Sequence, residues 1–102
     1  MNAIEFTQEN FDENTASGRV MLSFWAKWCG PCMALYPLIE EIAAEADGRY
    51  KVGRVNVDMQ GELVAKYKVM SVPTAVILEN GEEINRFIGG HPKDTYVNAL
   101  IN

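Results

Sequence analysis

The chain has 102 residues, 48% of them hydrophobic, and a formal net charge of −5. That length fits one domain over residues 1–102 and leaves no room for two, and the apolar content supplies a core that needs no disulfide or metal staple. The acidic balance argues against nucleic acid, which calls for a basic stripe, and against anionic membrane surfaces.

The opening residues Met1-Asn2-Ala3-Ile4-Glu5-Phe6 hold no basic segment and no long apolar run, and no later stretch approaches bilayer-spanning length. A cytoplasmic monomer is expected. Ala3–Phe6 reads as a short strand, and Thr7 as the N-cap of a short polar helix from about Gln8 to Thr15 with Phe11 turned inward. Gly18 breaks the chain before Arg19–Ala26, a run that is apolar without alternation. Such a strand is central, with helices over both faces.

Pro31 lies just inside the next element, where its missing amide costs nothing. Leu35, Leu38, Ile39, Ile42, Ala43 and Ala46 then recur at helical spacing, with Gly48 as the stop and Pro37 as an interior kink. Tyr50–Val57 returns as a strand, parallel to the first through a right-handed crossover. Glu62–Lys68 is a short helix. Thr74–Leu78 and Glu83–Ile88 are strands joined at Asn80-Gly81, a hairpin signal because both residues tolerate positive φ. Pro92 opens a last amphipathic helix that offers Tyr96, Val97, Leu100 and Ile101 to the core. The alternation describes an α/β domain with a mixed sheet.

The chemistry concentrates in Trp28-Cys29-Gly30-Pro31-Cys32, at the C-terminal end of the central strand and the start of the long helix. Reaction sites of open α/β sheets sit at that edge. Cysteines at i and i+3 across a first helical turn can pair, and the free amides and positive dipole end there favour a thiolate at Cys29. One pKa unit corresponds to about 1.4 kcal/mol, whereas a helix end gives about 0.3–1 kcal/mol and up to ~2 when partly buried. Backbone amides and the Cys32 thiol must therefore supply part of any large lowering. Gly30 lets a substrate backbone approach, and Pro31 pre-sets the turn. Cys32, one turn in, should be the more shielded, which makes Cys29 the attacking nucleophile and Cys32 the resolving thiol. Structural zinc needs about four ligands, and the chain offers two cysteines and a single histidine, His91. No metal is expected. A purely structural disulfide between Cys29 and Cys32 would close too short a loop to constrain the unfolded chain much.

Around this pentapeptide the chain resembles the thioredoxin family over nearly its whole length. The resemblance rests on Phe24-Trp25-Ala26-Lys27-Trp28-Cys29-Gly30-Pro31-Cys32, then Val55-Asn56-Val57-Asp58, Val72-Pro73-Thr74, Asn80-Gly81 and Gly89, in the family's order and near its spacing. It implies the thioredoxin fold, a central mixed sheet of about five strands flanked by four helices. It also implies protein disulfide reduction through a reversible Cys29–Cys32 disulfide, with no bound cofactor. The implied partners are a thioredoxin reductase and many disulfide-containing proteins. Pro73 would be a cis proline facing the cysteines, letting the Val72 backbone pair with an extended substrate; on the residues alone it could equally be a trans proline before a strand. The implied docking face comprises Trp28, Gly30, Pro31, Val72, Pro73, Ile88 and Gly89. Met70 could join it, although for Met70 and Ile88 core packing is an equal alternative. Trp25 is expected behind the active-site loop, with Asp58 taking its indole N–H. The same fold also serves thiol oxidases and isomerases, and a docking face could serve a non-catalytic binding subunit.

Three positions depart from the family. Ser23 stands where a buried aspartate is usual beneath the second cysteine. It could hold a proton-relaying water or be a small buried polar residue bonded to backbone. Arg54 stands where a lysine is common, and an arginine holds its charge where a lysine could lose it. Met33 replaces a frequent lysine.

Overall fold

The computed structural model describes residues 2–102. The apolar run after Gly18 forms β2 (Arg19–Trp25), the middle strand of a five-stranded sheet. Its neighbours are β3 (Lys51–Asn56), parallel to it, and β4 (Thr74–Glu79), antiparallel. Beyond them lie β1 (Ile4–Glu5), parallel to β3, and β5 (Glu82–Ile88), antiparallel to β4. The order is β1-β3-β2-β4-β5, the mixed sheet expected from the alternation of elements.

Successive side chains of a strand point to opposite faces, and this divides β2 between two cores. Val20, Leu22 and Phe24 meet Phe11 of α1 (Phe11–Thr15) and Leu63 and Tyr67 of α3 (Gly61–Tyr67). Met21 meets Ile39 and Ile42 of α2 (Gly30–Ala44) and Tyr96 and Leu100 of α4 (Lys93–Ile101). Both faces are covered, so β2 has no polar side to show in its sequence.

Element ends differ from the sequence expectation for local reasons. The first helix begins at Phe11, not near Gln8. Thr7 and Asn10 exchange bonds instead: the Thr7 N–H donates to Asn10 Oδ1 (2.9 Å) and the Asn10 N–H to Thr7 Oγ1 (3.1 Å), closing a turn ahead of the helix. Thr7 caps that turn rather than the helix. The long helix ends at Ala44, before Ala46 and Gly48. Arg49 donates to the Glu45 and Ala46 carbonyls there (2.9 and 3.1 Å), and Asp47 and Gly48 both take positive φ. Ile101 is 46% exposed and does not join the core, while Tyr96 and Leu100 do. The Asn80-Gly81 hairpin has φ of 51° and 87°, as its residue types require. Asn80 also ties the hairpin back to β2, accepting the Gly18 N–H at Oδ1 (2.8 Å) and donating its own N–H to Gly18 O (3.0 Å).

Gly53 leaves no room for a side chain where β3 runs beside β1 and Phe6. A Cβ there would fall on the Phe6 ring and 2.7 Å from the Ile4 carbonyl oxygen. Gly53→Ala is expected to destabilise the fold by about 1–3 kcal/mol, the usual range for overpacking. At roughly 4–8 °C per kcal/mol for a domain of this size, thermal unfolding followed by circular dichroism would show it clearly. An unchanged midpoint would mean that Phe6 leaves its place freely.

Candidate active site

The chain leaves β2 at Trp25 and enters α2 at Gly30, with Cys29 as the N-cap in extended conformation. The Cys29 Sγ accepts the Cys32 backbone N–H at 3.2 Å, so sulfur fills the position that a serine or aspartate oxygen fills at other helix starts. Pro31 follows in the first turn, among amides that have no intrahelical acceptor. The two cysteines are joined as a disulfide, with Cα atoms 5.3 Å apart. Cys29 and Cys32 are 6% and 3% exposed, so the difference in shielding has the expected sign but is small. Both pack in a small cluster with Ala26, against which Trp25, Val57 and Val72 lie. Pro37 lies inside α2 on its exposed side, where it leaves the Met33 carbonyl without an intrahelical donor.

The indole partners are exchanged relative to expectation. Asp58 Oδ2 accepts from Trp28 Nε1 at 3.0 Å, while the Trp25 Nε1 is buried without a partner. Trp28 remains 71% exposed, so the bond fixes a large apolar ring at the rim of the site. Trp25 is engaged through its face instead. The Arg54 guanidinium carbon lies 4.0 Å from the Trp25 ring centroid and 4.0 Å from that of Tyr36. Arg54 is 7% exposed, and its Nη1 donates to Glu5 Oε1 at 3.3 Å. No motif in the sequence marks Tyr36 or Glu5 as a partner of the site. Tyr36 stands at i+4 from Cys32, on the same helix face, and that spacing was the available signal. The planar guanidinium stacks between two rings with a carboxylate at its edge, a flat contact that a lysine ammonium lacks the shape to make.

Ser23 is 4% exposed and stands beside Arg54 in the β2–β3 register and beside Ala75 in the β2–β4 register. It shares a face with Met21 and Trp25, toward α2. Lys27 and Met33 lie at the surface.

The Val72–Pro73 peptide bond is cis. Pro73 itself is buried, so the Val72 side of the loop and not the proline ring borders solvent. The Gly89 N–H donates to the Pro73 carbonyl at 2.8 Å and holds the end of β5 against this loop. Ile88 and Met70 are 66% and 94% exposed, which decides against core packing for both. Trp28, Val57, Val64, Val69, Met70, Ser71 and Val72 line an open groove of about 260 Å³ beside the cysteines. A larger cavity of about 350 Å³ lies at the other end of the sheet, where β2 and β3 begin, away from the chemistry. The His91 Nε2–H donates to the Ile88 carbonyl (3.0 Å), and its backbone N–H donates to Tyr96 Oη (3.1 Å). Among the described residues no three His, Cys, Asp or Glu side chains group as metal ligands do, and no helix is long and apolar enough to cross a membrane.

The family model described as Thioredoxin matches residues 2–102. The thioredoxin of Staphylococcus haemolyticus is 38% identical over 100 residues, spanning 98% of this chain and 96% of that protein. The thioredoxin of Staphylococcus saprophyticus is 36% identical over the same length and coverage. Among solved structures, a mutant thioredoxin from Halobacterium salinarum superposes with a TM-score of 0.86 at 30% identity, over 96% of this chain and 86% of that one.

Proposed function

The chain belongs to the thioredoxin family and is a protein-disulfide reductase working by dithiol–disulfide exchange; from that premise we propose that Cys29 attacks the target disulfide and Cys32 resolves the mixed disulfide. The Cys29 thiolate displaces one sulfur of the target, which leaves as a thiolate and takes a proton. Cys32, as thiolate, then attacks the Cys29 sulfur of the mixed disulfide. The second target sulfur departs, and Cys29–Cys32 is left oxidised. Two electrons have passed to the target. The observation that carries this assignment is the cap geometry: the Cys29 sulfur accepts the Cys32 amide at the positive end of a fifteen-residue helix, so negative charge is stabilised there.

The family implies a reductase and disulfide-bearing proteins as partners. Within that frame we assign regeneration to a thioredoxin reductase, the working state to a single-domain monomer in the cytoplasm, and the redox group to the cysteine pair alone. Docking is assigned to Trp28, Gly30, Pro31, Val72, Ile88 and Gly89, with Pro73 as the buried support of the loop. An extended target segment would pair with the Val72 backbone. Trp25, Ser23 and Arg54 shape the site from behind.

Addition of the protein to insulin and dithiothreitol is expected to accelerate insulin reduction strongly; no acceleration would remove the assignment. Ile88→Asp places a carboxylate on the docking face and is expected to raise the KM for insulin roughly five-fold or more. Its effect on a small aromatic disulfide should be much smaller. Equal effects on both substrates would place Ile88 outside the docking face.

A further inference from the structure

Among the described residues the exposed methionines are not scattered. Met33, Met59 and Met70 are 44%, 71% and 94% exposed, whereas Met21 is fully buried. Each exposed one adjoins the site: Met33 follows Cys32, Met59 follows Asp58, the partner of Trp28, and Met70 lines the groove with Trp28 and Val72. A thioether is soft and adaptable, which suits a face that meets varied targets. Oxidants also convert it directly into a strong dipole.

We propose that Met70 is a modification site: its reversible oxidation to the sulfoxide by hydrogen peroxide weakens the docking of protein substrates. This rests on the reductase reading and on the docking face assigned above. In the forward step a sulfur lone pair attacks the outer oxygen of the peroxide. The O–O bond breaks, an S–O bond forms, and one water is released, with sulfur oxidised by two electrons and peroxide reduced by two. In the return step a methionine sulfoxide reductase uses two thiols, yielding thioether, disulfide and water.

The consequence follows from the groove lining. Val57, Val64, Val69 and Val72 offer no donor from their side chains, and the Trp28 indole N–H is already given to Asp58. Ser71 is the one lining side chain with a hydroxyl. A sulfoxide oxygen covered by an apolar target segment is therefore poorly partnered, which disfavours the complex. Met70 is the most exposed of the three and sits two residues before Val72, so the change falls where the target backbone is held.

The test treats the disulfide form of the protein with hydrogen peroxide, since joined cysteines are protected, and then reduces it with dithiothreitol. Peptide mapping locates the sulfoxides, and KM and kcat are measured on insulin and on a small aromatic disulfide. Wild type, Met70→Leu and Met59→Leu are each compared with their own untreated form. The expected result is Met70 sulfoxide, a KM for insulin raised roughly five-fold, a small-disulfide rate changed far less, and a return of KM after methionine sulfoxide reductase. Met70→Leu should lose the sensitivity and Met59→Leu keep it. Oxidation elsewhere but not at Met70, an insulin KM indifferent to Met70 sulfoxide, or a Met70→Leu protein still inhibited would each overturn the proposal. A protein inert before peroxide would sink the reductase reading and this proposal together, whereas an active one that ignores the sulfoxide sinks only the proposal.

Discussion

Cys29→Ser is expected to abolish catalysed disulfide reduction while leaving the fold in place. The sulfur at this position has two roles, and the substitution separates them. As N-cap acceptor it takes the Cys32 amide at 3.2 Å, and a serine hydroxyl is among the best residues for that duty. As nucleophile it needs a thiolate, and serine has none near neutral pH. The melting temperature should therefore move little, while insulin reduction falls to the rate of dithiothreitol alone. Cys32→Ser should behave differently. Its first step remains possible, and the mixed disulfide between Cys29 and the target accumulates because no thiol stands one turn away to release it. Non-reducing electrophoresis and intact mass would detect that adduct. A Cys29→Ser protein that still accelerates insulin reduction, or an adduct on Cys32 in that variant, would reverse the two roles.

Ser23→Asp should have the second largest effect, and its size depends on pH. The position is 4% exposed, between strands on both sides and beneath α2. A carboxyl group there loses its hydration, so burial raises its pKa above the unfolded value. The nearest cation in the register, Arg54, is already held between Trp25 and Tyr36 and bonded to Glu5, and turning to the new carboxylate would break that stack. A raised folded-state pKa means that the native state binds the proton more tightly than the unfolded state. The variant is then closest to wild type in acid, below the unfolded value. It loses stability as pH rises toward the folded value, by about 1.4 kcal/mol for each pKa unit between the two. At neutral pH the melting temperature should fall by several degrees, and the gap should close in acid. Resolution by Cys32 should speed up near neutrality, because a buried base can take the Cys32 proton and serine cannot. A melting temperature deficit that ignores pH would mean that the carboxylate is solvated. Resolution rates unchanged across pH would remove the proton-relay role from this position.

The order of elements, the central place of β2 and the location of the cysteine pair were legible in the residues because each depends on local chemistry. A largely apolar run without alternation, a proline in a first turn and an Asn-Gly pair restrict the chain wherever they occur. Helix ends were read less well. Thr7 and Asn10 each accept the other's backbone N–H, and this mutual pair closes a turn where a helical first turn was expected. Arg49 and the positive φ of Asp47 and Gly48 settled the end of α2 in ways that apolar spacing does not encode. At the site, Cys29, Gly30, Pro31 and Cys32 stand together in the sequence, while the groups around them come from separate strands and loops.

What the sequence determined by itself is therefore the fold class, the reactive pair and the edge of the sheet where it acts, since a Cys-x-x-Cys unit at a strand-to-helix junction carries its own capping and dipole physics. Only the tertiary structure decided which indole Asp58 holds, where the Arg54 charge lies, and that Met70 and Ile88 face solvent. Asp58 lies 30 residues along the chain from the indole it holds, and Arg54 meets partners from three other segments. Residue type and spacing fix what a side chain can bond. The packing of distant segments selects which of those bonds forms.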